Sequence, residues 1–66
     1  MMTDAERKRL QEELAALRKQ RAEFQAQLEG IPEGGAKYQK ARDYWKERIE
    51  QAQNQISRIH TRLGVG

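Results

Sequence analysis

The chain has 66 residues, 35% of them charged and 36% hydrophobic, with a formal net charge of +3. That length holds one small domain, and that balance excludes both a deep core and a plain disordered tract. The chain contains no cysteine, which rules out disulfides, Cys-ligated zinc and thiol chemistry.

Ala, Leu, Glu, Gln, Arg and Lys dominate, and these are the good helix formers. Valine occurs only at Val65 and threonine only at Thr3 and Thr61, so the β-branched runs that strands need are missing. No apolar run approaches the roughly 18 residues of a membrane span. Met1-Met2-Thr3-Asp4-Ala5-Glu6 has no apolar stretch of the signal-peptide kind. A cytoplasmic, soluble protein is the expectation. Charge is uneven along the chain. Residues 1–33 carry six Lys/Arg against seven Asp/Glu, and residues 34–66 carry seven against three. Such asymmetry steers acidic partners.

In chain order, Thr3-Asp4-Ala5-Glu6 fits a capping box and predicts a helix over 3–29. Gly30 suits the position after the helix, where a positive φ is expected, and Pro32 is a stop signal. Residues 30–35 form the only linker. A second helix follows over 36–63 and ends at Gly64. At 1.5 Å per residue each helix is about 40 Å long.

Apolar residues show how the helices meet. Positions 10, 14, 17, 21, 24 and 28 alternate steps of four and three, the rhythm of a coiled-coil seam, and Thr3 and Arg7 extend it backwards. The second helix repeats it with Tyr38, Arg42, Trp45, Ile49, Ala52, Ile56, Ile59 and Leu63. Folding the chain about Glu33 pairs residues whose numbers add to 66. Leu17 then faces Ile49, Leu14 faces Ala52 and Leu10 faces Ile56, while Arg21 falls beside Trp45 and Arg42 beside Phe24. The arginine–ring pairs are expected to be cation–π contacts, each worth about 0.5–2 kcal/mol. The predicted fold is all-α: a two-helix antiparallel coiled-coil hairpin. One hairpin buries one stripe per helix, which for so small a chain barely offsets the entropy of folding. Oligomerisation into a helical bundle is therefore expected, with Tyr44 and alanines 15, 22 and 26 as candidates for the second contact.

Catalytic constellations are weak. Gly30 and Gly35 have the spacing of a phosphate-binding P-loop, but Ala36 stands where Lys is required and no Ser/Thr follows. A weaker anion site could use the amides of Gly34 and Gly35 with Lys37 and Lys40, opposed by Glu33. His60 is the lone histidine and reads as a surface residue, with Asp4 across the hairpin as its one potential acid. Glu12, Glu13, Asp43, Glu47 and Glu50 lie on outer faces near Arg9 and Lys46, as surface helix pairs do. No cofactor, metal site or enzymatic activity is expected.

The pattern points first to a non-enzymatic protein-binding, adaptor or inhibitor module that pairs with itself and with another protein. Candidate binding residues are Arg21, Lys37, Tyr38, Arg42, Tyr44, Trp45 and Lys46, because Tyr, Trp and Arg dominate binding hot spots. A second expectation is an anionic small molecule, such as a nucleotide, held between hairpins by Tyr38, Arg42, Trp45 and Lys46. A third is non-specific nucleic-acid binding through the basic second helix, although Asp43, Glu47 and Glu50 interrupt its charge.

Overall fold

A computed structural model describes residues 2–64; Met1, Val65 and Gly66 lie outside the described residues. Helix α1 spans Asp4–Glu29. A short 3₁₀ turn, Ala36–Tyr38, leads into helix α2, Gln39–Leu63. The helices pack side by side as an all-α hairpin measuring 51 × 15 × 14 Å, without a strand among the described residues.

The chemistry of the ends explains where each helix starts and stops. Thr3 stays extended, at φ −76° and ψ 162°, and its hydroxyl accepts from the Glu6 amide at 3.2 Å. One of the amides left free by the helix start is thereby satisfied. Asp4 and Glu6 also place negative charge near the positive end of the helix dipole. At the far end Gly64 adopts the left-handed conformation, φ 74°, and closes α2 with a bond from its amide to the Thr61 carbonyl at 3.1 Å.

Gly30 departs from expectation. Its φ is −76°, in the right-handed region. Its amide bonds to the Ala26 carbonyl and that of Ile31 to the Leu28 carbonyl, each at 3.1 Å, so the last turn simply tightens. The reversal is deferred to Gly34 and Gly35, at φ 88° and 91°. A β-carbon at Gly30 would sit 3.6 Å from the Ala26 and Gln27 carbonyl oxygens, an ordinary contact. Gly30→Ala is thus expected to stabilise the hairpin by roughly 0.4–1 kcal/mol, by removing freedom from the unfolded chain. A thermal melt checks this, and a lower midpoint than wild type would contradict it.

The seam is buried as its periodicity implies. Leu10, Leu14, Ala52, Ile56 and Ile59 form the core, with Leu17, Leu63 and Met2 packed against it. Towards the loop the seam residues Arg21, Phe24, Leu28, Tyr38, Arg42, Trp45 and Ile49 are half-buried. Thr3 and Arg7, at the open end, are exposed. The core therefore sits in the half of the hairpin far from the loop, and the loop half is held by rings and arginine stems.

Side-chain partners differ from the simple pairing by number. Phe24 and Trp45 meet ring to ring, with centroids 5.7 Å apart. Arg21 and Arg42 make no cation–π contact with Trp45 and Phe24. Arg21 Nη1 instead donates to Gln53 Oε1 at 3.2 Å, and Arg42 Nη2 donates to Gln39 Oε1 at 3.0 Å within its own helix. Every side chain leans towards the start of its own helix. In an antiparallel pair the two leans are opposed in space, so tips meet at numbers adding to more than the backbone pairing. Phe24 and Trp45 add to 69, not 66.

Candidate functional site

Each turn of 100° per residue sets the seam of α2 between two flanks. Tyr44, Arg48, Gln51, Gln55, Arg58 and Arg62 fall on one flank, hereafter the front. Lys46, Gln53 and His60 fall on the other, the back. The two sides of the hairpin are built differently.

On the back, side chains strap the helices together. Arg21 reaches Gln53, and Arg18 Nη2 lies 3.1 Å from His60 Nε2. A guanidinium can only donate, so Nε2 is the acceptor in this contact. His60 is consequently half-buried and tied to Arg18, rather than a free surface residue beside Asp4. Nearer the loop, Arg42 and Lys46 share a cleft of about 270 Å³ with Leu28, Glu29, Ile31 and Glu33. Two carboxylates in that cleft work against an anionic ligand. Arg42 Nε is buried there without a hydrogen-bond partner.

On the front, four shallow clefts run end to end. The first is lined by Tyr44, Glu47, Arg48 and Gln51. The second shares Arg48 and Gln51 with it and adds Leu17, Gln20, Phe24, Ala52 and Gln55. The third shares Leu17 and Gln55 and adds Leu10, Glu13, Arg58, Ile59 and Arg62. The fourth shares Leu10, Glu13 and Arg62 and ends at Glu6 and Arg9. The result is a shallow groove along the front: the three clefts that reach α1 are floored by seam residues and walled by polar side chains, and the first lies on α2 alone.

Its loop-side end carries an aromatic cluster. Among the described residues Tyr44 is the one large hydrophobic side chain that is exposed, at 48%. Its ring stands edge-on to Trp45, with centroids 5.0 Å apart and planes at 87°. The Arg48 guanidinium lies 5.0 Å from the Tyr44 ring centre. Phe24, Trp45, Tyr44 and Arg48 thus form a chain of contacts from the seam to the surface. Contacts of these kinds add roughly 0.5–1.5 kcal/mol each beyond area burial, and the two that touch Tyr44, from Trp45 and Arg48, favour this orientation of its ring.

The candidate binding residues divide among these places. Tyr44 and Trp45 come together on the front. Arg42 and Lys46 share the back cleft, and Arg21 is engaged with Gln53. Lys37 and Tyr38 lie beyond both at the loop, with the Lys37 ammonium 5.0 Å from the Tyr38 ring centre. They do not converge on one site. Arg48 and Phe24 were absent from the sequence-derived set although they complete the aromatic cluster. The signal for Arg48 was its position four residues after Tyr44, a spacing that stacks neighbours on a helix face.

Among the described residues no group of three or more His, Asp or Glu side chains could hold a metal ion. No helix of the described residues is long and apolar enough to cross a membrane. No protein-family model, curated protein or solved structure matches the chain.

Proposed function

We propose that this hairpin is a non-enzymatic protein-binding module that works as a small homo-oligomer and docks partners through its front. The observation that carries this reading is the exposed ring of Tyr44, packed between Trp45 and Arg48. An aromatic anchor already held in place loses little side-chain entropy on binding, and Tyr, Trp and Arg are the residues that concentrate binding energy. The clefts are shallow and open, which suits the surface of another protein better than a small molecule, whose sites are concave and enclosing.

Affinity capture with the wild-type chain and with Tyr44→Ala/Arg48→Ala tests this. Both side chains lie outside the buried core, so the double variant should keep its helical circular dichroism and lose captured proteins. Capture of an unchanged set would refute the front as the docking side.

Nucleic-acid binding is the second reading. Arg48, Arg58 and Arg62 share the front of α2. The opposing wall bears Glu6 and Glu13, which repel phosphates. Retention on DNA that survives moderate salt would favour it.

A further inference from the structure

We propose that the front groove receives a second copy of this chain, related by a two-fold axis parallel to the helices, so that both loops lie at the same end. This deepens the homo-oligomeric part of the reading above and rests on it; the second copy is then the first occupant of the front, and another protein docks there by displacing it.

The first argument is area. The hairpin exposes 5435 Å². A compact chain of its 7.7 kDa mass exposes about 4,300 Å². The excess, about 1,100 Å², is more than the ~800 Å² each partner contributes to a standard interface. The groove is the longest stretch of open apolar seam, because Arg18–His60 and Arg21–Gln53 bridge the back and leave only the loop-side cleft there.

The second argument is charge, which selects the arrangement. In the clefts far from the loop, the α1 wall presents Glu6 and Glu13, with Arg9 at its outer edge, and the α2 wall presents Arg58 and Arg62. Two hairpins stacked face to face have two possible two-fold axes in the plane between them. An axis perpendicular to the helices lays α2 on α2 with directions reversed, so Arg58 and Arg62 lie over the loop-side end of the other α2 and meet no α1 carboxylate. An axis parallel to the helices lays α1 of each copy on α2 of the other at the same height. Glu13 then meets Arg58 of the second copy, and Glu6 meets its Arg62. Each pair occurs twice by symmetry. Only the parallel axis brings the α1 carboxylates of one copy to the α2 arginines of the other, so it is favoured. At the other end the same operation brings Tyr44 and Arg48 over Phe24 and Gln20 of the second copy.

The chain lacks cysteine, so Glu33→Cys gives a single labelling point at the loop. Spin labels there should lie within about 20 Å of each other, given helix spacings of ~10 Å. The perpendicular axis would separate them by about the 51 Å length of the hairpin. A second measurement uses mixing. Glu13→Lys and Arg58→Glu should each weaken self-association about tenfold by placing like charges face to face. Mixed together, the two variants should form a heterodimer, because both of its inter-copy pairs are then opposite in sign. A pair confined to one chain would gain nothing from mixing. Long label separations, or no recovery on mixing, would overturn this arrangement and leave the homo-oligomeric reading intact. A wild-type chain with the mass of a monomer at micromolar concentration would overturn both.

Discussion

Ile56→Ala is expected to lower the melting midpoint by some 10–30 °C and to leave a sizeable unfolded fraction near body temperature. Ile56 is 5% exposed and packs in a cluster with Leu10, Leu14 and Ile59. Truncating a buried isoleucine to alanine costs about 2–5 kcal/mol, the lost transfer energy plus the cavity left behind. A single small core rarely supplies more than about 3–5 kcal/mol in total. The loss is therefore comparable with everything the hairpin has. For a domain of this size each kcal/mol moves the midpoint by roughly 4–8 °C. Circular dichroism melts at one fixed protein concentration measure it, with Ile49→Ala as comparison. Ile49 is only half-buried and should cost less. Equal small shifts for both would mean that the cluster is not the stabilising centre.

Gly35→Ala should destabilise by about 1–3 kcal/mol for a different reason. Gly35 sits at φ 91° and ψ 126°, a region that L residues with a β-carbon avoid. Space is not the obstacle, since an added β-carbon would come no closer than 3.8 Å to Tyr38 Cδ2. The cost is purely one of backbone conformation. A thermal melt measures it, and an unchanged midpoint for Gly35→Ala would show that residue 35 does not need this backbone conformation. The contrast with Gly30, where alanine is expected to help, makes the loop a test of which glycines are needed for their freedom.

The hairpin was legible because its signals are local and periodic. Thr3, Gly64 and the loop glycines mark ends by their own chemistry, and the four-three spacing from Leu10 to Leu28 and from Tyr38 to Leu63 marks the buried stripe. What stayed hidden depends on direction in space. Pairing by number placed arginines against rings, whereas the lean of both helices' side chains brings Phe24 to Trp45. The Arg18–His60 contact joins residues 42 apart and follows from no spacing rule. Gly30 misled because a glycine after a helix often turns left-handed, and here the two glycines four and five residues later take that role. The difference between front and back needs both helices in view at once, so neither pattern alone reveals it.

The slender shape has a hydrodynamic consequence. The radius of gyration is 15.3 Å, the value of a compact globule of roughly 160 residues. A lone copy will tumble slowly end over end and leave a sizing column early, imitating an assembly it has not formed. Light scattering or sedimentation equilibrium, which weigh particles regardless of outline, can distinguish one copy from two.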